Sequence, residues 1–298
     1  MSGSGVSVLE ARPESRRLLG AISITAAILI AELIGGIASN SLALLSDAGH
    51  MFTDLVALAF SYFGIWAACR PASGRASFGY HRVEILCALG NGSILFLLAL
   101  GIVVEAVQRM GDPPAVRAGI MTGVAAIGLA ANVISVALLT GYGCNLNLRA
   151  ARWHVLGDAL SSLGVILGGT VIWITGWRLV DPALSCGIAV VIVFGAVRLL
   201  KESVDVLLEA TPTGIRLPEV SGAIESIPGI AAVHDLHVWS ITTGMTALSG
   251  HVVVETPFLD RTDDLLNRIK GMLKREFRIE HTTIQVESKQ YDEIGQVH

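Results

Sequence analysis

Six apolar stretches occupy the first two thirds of the chain, near 17–38, 42–69, 82–109, 115–141, 149–176 and 181–207. Each is long enough to cross a hydrocarbon layer of about 30 Å, which takes roughly 20 helical residues. The third is the clearest, because 85–104 holds no charged residue. The connections are short, so successive helices should pack as antiparallel neighbours. Past about Thr211 the pattern changes. Thr211-Pro212-Thr213-Gly214 breaks the last apolar helix, 217–227 reads as a short helix stopped at Pro228-Gly229, and 230–241 and 245–255 read as strands joined across Thr242-Thr243-Gly244. An amphipathic helix over 259–277, with Leu265, Leu266, Ile269 and Leu273 on one side, and a last strand over 281–287 complete an αββαβ order. The pattern predicts an α-helical membrane protein: a polar tail at 1–15, a six-transmembrane-helix bundle at 16–208 and a C-terminal α+β cytoplasmic domain at 209–298.

Composition agrees. The 298 residues are 52% hydrophobic and 15% charged, and a mean hydropathy of +0.64 is far from that of a soluble domain. Ten Lys and Arg residues fall at one set of helix ends (Arg12, Arg16, Arg17, Arg70, Arg75, Arg82, Arg149, Arg152, Arg198, Lys201) and three at the other (Arg109, Arg117, Arg178). By the positive-inside rule both termini are expected in the cytoplasm. The segment 1–15 lacks the ordered regions of a signal peptide. Residues 208–298 carry 8 basic against 13 acidic residues and five of the eight histidines. That balance disfavours a nucleic-acid partner and suits a domain that responds to cations. The four cysteines show no CxxC spacing, so they read as buried small hydrophobes.

Two motifs change the picture. His50 and Asp54, and again His154 and Asp158, stand four residues apart inside apolar segments, which puts each imidazole and carboxylate on one helix face. An aspartate in a membrane helix costs about 2.5–3.5 kcal/mol on insertion scales. Two neutral imidazoles and two carboxylates match the ligand types and tetrahedral number of zinc, and a bound dication compensates both charges. Four protein ligands also close the coordination shell, whereas a catalytic zinc keeps a position open for water, and no HExxH motif appears. An enzyme is therefore disfavoured. Asp47 shares a face with His50 and could orient an imidazole or make a polar contact. Glu32, Glu84 and Glu105 read as structural, Asn40, Asn91 and Asn132 as candidates to bridge helices, and 164–168 as a close packing face. In the tail, His234 and His237 lie three apart on a strand and should face opposite ways. His251 and Glu287 come near His234 only if their strands adjoin.

The strings SLALLSDAGHMFTD at 41–54, FGYHRVE at 78–84, NLNLR at 145–149 with His154 to Asp158, and HDLHVW at 234–239 together resemble the cation diffusion facilitator family, over nearly the whole chain. The resemblance implies a homodimeric exporter of divalent metal, with a metallochaperone-like cytoplasmic domain. Zn²⁺ is the expected substrate, H⁺ the counter-ion, and His50, Asp54, His154 and Asp158 the transport site. It further implies a regulatory zinc site at His234, His251 and Glu287, with Gln285 standing where some relatives have another histidine. Arg82 and Glu209 match a charge interlock. The 70–81 loop holds only His81, and 143–149 lacks a His-rich insert, as in the compact bacterial type. Because ligands must lose protons to bind metal, alternating access coupled to proton antiport is the expected mechanism. The competing readings are a metal sensor that does not transport, or an exporter preferring Cd²⁺ or Co²⁺.

Overall fold

The computed structural model describes residues 13–139, 146–255, 261–289 and 291, with side chains described throughout except at 13–22, 65, 138–139 and 146–154. The expected tail at 1–15 lies outside this range apart from Pro13 to Ser15, which already belong to the first helix. The long helices are α1 (Pro13–Ser39), α2 (Leu42–Ala68), α3 (Arg82–Gly111), α4 (Ala118–Leu139), α5 (Leu146–Thr175) and α6 (Val180–Leu207). Then follow α7 (Leu217–Glu225), β1 (Ile230–Thr242), β2 (Met245–Val254), α8 (Thr262–Met272) and β3 (His281–Ser288). Helices α2 to α6 each contain a span long and apolar enough to cross a membrane, and the described part of α1 adds a shorter apolar run, Ser23–Ser39. Large apolar side chains such as Leu160, Trp173 and Phe194 are more than 70% exposed. Exposure on that scale fits lipid as the solvent. The chain is a multi-pass helical membrane protein with a C-terminal α+β domain.

Two compact units are resolved, Met1–Ala59 with Asn91–Val197, and Phe60–Gly90 with Arg198–His298. In the first, α4 packs along α1 and α5, and Ala43 and Leu44 of α2 share a core with Met121 and Ala125 of α4 and Val165 of α5. Close approach is enforced by Gly168 and Gly169, where an added Cβ would stand 2.1 Å from Leu184 Cδ1 and 2.3 Å from Thr122 Oγ1. Within the 164–168 stretch Gly168 makes this close approach, whereas a Cβ added at Gly164 would meet nothing within 4 Å, so the packing face is confined to the Gly168 end. Asn40 donates from Nδ2 to Ala115 O, in the connection ahead of α4, at 3.5 Å. It takes a left-handed φ of 58° that ends α1, and Ser41 N–H returns to Gly36 O at 3.1 Å. Asn91 Oδ1 and Asn132 Nδ2 make no hydrogen bond, so the expected helix bridges are not formed by those atoms.

The start of α2 is held by Asp181, a fully buried residue of the first turn of α6. Its carboxylate accepts from Ser41 Oγ–H and from the Leu42 and Ala43 N–H groups, the last two at 2.8 and 3.2 Å. Ser41 Oγ in turn accepts from Leu44 N–H at 3.2 Å. An acid 139 residues away in sequence therefore satisfies the first N–H groups of α2 and meets the positive end of its dipole.

In the second unit, β2 is central, antiparallel to β1 and parallel to β3. Helices α7 and α8 cover one face, burying Val220, Ile224, Leu265, Ile269 and Leu273 against Val238, Leu248 and Val252. The expected αββαβ order is present. The last helix is shorter than expected: α8 begins at Thr262, widens into a π-helical turn over Leu273–Phe277, and stops where Arg278 adopts a left-handed φ of 57°. The expected Arg82–Glu209 pair forms at 2.6 Å, and Thr242 Oγ–H donates to Glu84 Oε2 at 2.7 Å. Both Arg82 and Glu209 are over 40% exposed, so the pair stabilises by less than about 1 kcal/mol.

Asp181→Asn keeps the shape but gives up the anion at the α2 terminus. We expect a loss of about 1–2 kcal/mol, read as a lower apparent melting temperature of the detergent-solubilised protein. An unchanged melting temperature would show that this cap does not anchor α2.

Candidate metal sites

His50 lies two turns into α2 and Asp158 three turns into α5. At 1.5 Å per residue these positions are about 12 Å and 18 Å from their helix starts. For helices that run in opposite directions, the two depths together span a bilayer core of about 30 Å, so the residues share one level. The sequence alone suggests unequal depths, and the difference comes from the start of α5 at Leu146 rather than 149. Nitrogen and carboxylate atoms of His50, Asp54 and Asp158 lie within 4.8 Å of one another. His50 Nε2 is 3.9 Å from Asp54 Oδ2, and Asp158 is 5% exposed. His154, the fourth candidate, falls in α5, but its side chain lies outside the described residues.

Around this group the structure adds polar residues that the sequence did not single out. Ser161 Oγ–H donates to Asp47 Oδ1 at 2.6 Å, which places Asp47, 2% exposed, on the α5 side of α2. Asp47 is thus joined to α5 by hydrogen bond rather than left as a polar contact at the membrane face. A cavity of about 810 Å³ runs along α5 and α6 from Trp177 to His50, Asp158 and Ser161 and is otherwise lined by apolar residues and glycines. Glu32 of α1 is 1% exposed, and a Cβ added at Gly128 would stand 2.8 Å from its Oε1. Glu105, by contrast, pairs with Arg109 at 2.8 Å. That is the structural role expected for it.

A second group forms on the sheet face opposite α7 and α8. His234 and His251 are directly paired across β1 and β2, with ring centroids 5.1 Å apart. Glu287 on β3 hydrogen-bonds His234 Nε2 at 3.0 Å and stands 2.9 Å from His251 Nδ1, and is itself 5% exposed. The strands do adjoin, and the three residues offer ligand atoms within 4.8 Å of one another. Gln285 donates from Nε2 to Glu287 Oε1 at 2.8 Å, so the amide that replaces a possible histidine orients the carboxylate.

The expectation that His234 and His237 face opposite ways is overturned. A register shift between them pairs His237 with Ser249, two residues from His251. The extra residue of this bulge restores both histidines to one face. Asp235, at a left-handed φ of 46°, reaches His237 Nε2 at 3.0 Å and His251 Nε2 at 3.7 Å. His237 stays outside the trio, but Asp235 borders it. A period-two reading of the strand hides this acid; the signal for it was an Asp between two histidines, a residue type that tolerates the left-handed conformation.

An apolar bundle holding two carboxylates and an imidazole within 4.8 Å of one another, followed by a small sheet domain, has the make-up of a membrane transporter for cations. Comparison with known proteins gives the family. A family model described as the cation efflux transmembrane domain matches residues 18–208, and one described as the cation efflux protein cytoplasmic domain matches 212–289. The chain belongs to the cation efflux, or cation diffusion facilitator, family. It is 42% identical over 273 residues to the metal cation efflux system protein CzcD of Cupriavidus metallidurans, covering 91% of this chain and 86% of that one. It is 40% identical over 277 residues to the zinc transporter ZitB of Escherichia coli (92% and 87%). It is 38% identical over 279 residues to a cadmium, cobalt and zinc/H(+)-K(+) antiporter of Bacillus subtilis (92% and 89%). The chain is thus a divalent metal cation efflux transporter and not an enzyme, and the reading as a sensor without transport is set aside.

Ser161→Ala removes the donor to a buried carboxylate. We expect a destabilisation of about 1–3 kcal/mol, measured as a lower apparent melting temperature, with Ser161→Thr close to wild type. Equal melting of the alanine variant and wild type would mean that Asp47 does not depend on this hydrogen bond.

Proposed function

We propose that this protein is a homodimeric Zn²⁺/H⁺ antiporter of a bacterial inner membrane, with both termini cytoplasmic, a membrane domain at 16–208 and a regulatory domain at 209–298. The observation that carries the reading is the convergence of His50, Asp54 and Asp158 within 4.8 Å inside an apolar helical unit. His154 completes the set by register. Asp47 meets Ser161 and His50 meets Asp158, so each step up α2 matches an equal step down α5. Four residues on from that second pair, Asp54 and His154 stand opposite each other. The resulting His₂Asp₂ shell is tetrahedral in type and brings a bound dication to net zero charge, the state a buried site prefers.

Coupling follows from the ligands themselves. Protons and metal compete for the same imidazole and carboxylate lone pairs. The ion loads from the cytoplasm, the bundle re-orients, and protons from the outer side displace it. The cavity that reaches the site from Trp177, in the connection between α5 and α6, supplies a route toward the end of the bundle with few basic residues. The trio at His234, His251 and Glu287 acts as a cytoplasmic zinc sensor. Between two copies of a domain with an excess of five acidic residues, bound zinc relieves repulsion and favours approach of the partners. The names of relatives include cadmium and cobalt, and these ions suit the same donor set, with zinc favoured by two imidazoles in a tetrahedral shell.

Proteoliposomes with an imposed proton gradient test the core of this reading. Wild type should drive Zn²⁺ flux that follows the gradient, and Asp54→Ala and Asp158→Ala should each lower it by more than about tenfold. Wild-type flux that ignores the gradient would sink the antiport. In a background with the native cysteines replaced, Asp54→Cys with His154→Cys should be cross-linked by a thiol-bridging metal such as Hg²⁺, whereas Asp54→Cys with Ala151→Cys, one turn off register, should not. Cross-linking of the second pair alone would remove His154 from the site.

A further inference from the structure

Glu32 is a buried acid with no role in the ligand set. It is 1% exposed, and neither carboxylate oxygen has a hydrogen-bond partner among the described residues. Its Oε1 fills the gap left by Gly128, and Ser162 Oγ lies near the same point, 3.6 Å from a Cβ built there. Ser162 is one helical turn beyond Asp158 on α5, so Glu32 sits one turn along the bundle from the proposed ligands. Gly128, Asn132 and Ser135 share one face of α4. Asn132, Ser135 and Ser162 are each at most 1% exposed, and Asn132 Nδ2, Ser135 Oγ and Ser162 Oγ lack hydrogen-bond partners as well. The result is a buried polar strip across α1, α4 and α5, separate from the ligands yet close to them.

Charge decides what this strip can hold. The charged groups facing Glu32 are Asp47 of α2 and Asp158 of α5. Helix α4 has no charged residue, and α1 has none other than Glu32 between Leu18 and Ser39. Among the described residues no Lys or Arg stands nearby, so an ionised Glu32 beside an empty site would add a further negative charge to a dry interior. The neutral acid avoids that. A dication bound at Asp54 and Asp158 cancels their negative charge, removes the repulsion that keeps the proton on Glu32 and so favours its loss, by Coulomb interaction alone and without a shared lone pair.

We propose that Glu32 is a proton-carrying residue of the transport cycle: it holds one H⁺ while the metal site is empty and releases it when the divalent cation binds, without ligating the metal. This rests on the antiport reading above. It separates the counter-ion from the ligands, because one proton then moves on a carboxylate that never touches zinc. Linkage makes the effect reciprocal, so protonation of Glu32 must weaken metal binding as much as metal binding weakens the hold on the proton.

The test is the number of protons released per Zn²⁺ bound by the full-length protein in detergent, read with a pH indicator in weak buffer, alongside Zn²⁺ titrations across pH. Glu32→Gln should bind Zn²⁺ within about threefold of wild type, release about one proton fewer, and show an affinity that rises with pH about tenfold less per unit. Glu32→Asp should restore the wild-type count. Infrared difference spectra of wild type, which need no variant, should lose the carbonyl band of a protonated carboxylic acid on adding Zn²⁺. Proton release by Glu32→Gln equal to wild type, abolished zinc binding in that variant, or no such band in wild type would each overturn the proposal. If wild type itself releases no protons, the antiport reading fails; if only the Glu32→Gln comparison fails, the antiport reading stands.

Discussion

Negative charge in a dry helical bundle is the constraint around which the membrane unit is arranged. Four acids are at most 5% exposed there: Glu32, Asp47, Asp158 and Asp181. Each is answered differently. Asp181 meets backbone N–H groups at the start of α2, where unsatisfied donors and the helix dipole offer positive potential. Asp47 meets a single hydroxyl. Asp158 meets His50 and Asp54 at the level where a dication fits. Among the described residues Glu32 meets no donor, which leaves a proton as its simplest neutralising partner. Compensation thus runs from several backbone donors at Asp181 to none at Glu32.

The cytoplasmic sheet obeys a milder form of the same rule. Its helix-covered face is apolar, while the opposite face gathers His234, His251 and Glu287 on three adjacent strands. Glu287 is the centre of the group, since it hydrogen-bonds the His234 imidazole, stands within 3 Å of the His251 imidazole and accepts from the Gln285 amide. Parallel pairing of β2 and β3 makes this possible: Gln285 is level with His251 and Glu287 with Val253, so the carboxylate stands one step beyond the histidine pair and can reach both.

How much of this was legible depended on the range of the interaction. Helices long enough to span a membrane and the four-residue spacing of His50 and Asp54 are local properties, and they are plain in the sequence. The αββαβ succession of helices and strands along the chain was readable from alternation and turns, but which strands adjoin in the sheet was not. What stayed hidden depends on contacts between distant segments or on backbone irregularity. Ser161 looks like any small helix residue until α5 lies against α2. Asp181 reads as an unremarkable first-turn acid of α6, yet its donors are Ser41, Leu42 and Ala43. Glu32 was read as structural because burial without a partner cannot be seen in one helix. Asp235 was missed because period-two logic fails across a bulge, where one extra residue reverses the facing of all that follow.

Register then limits how such a site can move. A one-residue slip of α2 against α5 would turn its side chains by about 100° and scatter the ligand set. The structure opposes such a slip from two places. Asp181 grips the first turn of α2 from α6, and Gly168 and Gly169 let α5 close onto α6 and α4 with no space for a larger side chain. Both restraints lie on the side of the ligands opposite the start of α5: Asp181 holds the beginning of α2, and the glycines are ten and eleven residues beyond Asp158. Tilting about the restrained end would keep the level of His50 and Asp158. A tilt of that kind preserves the metal geometry, whereas sliding destroys it, so rocking is the motion that this packing permits.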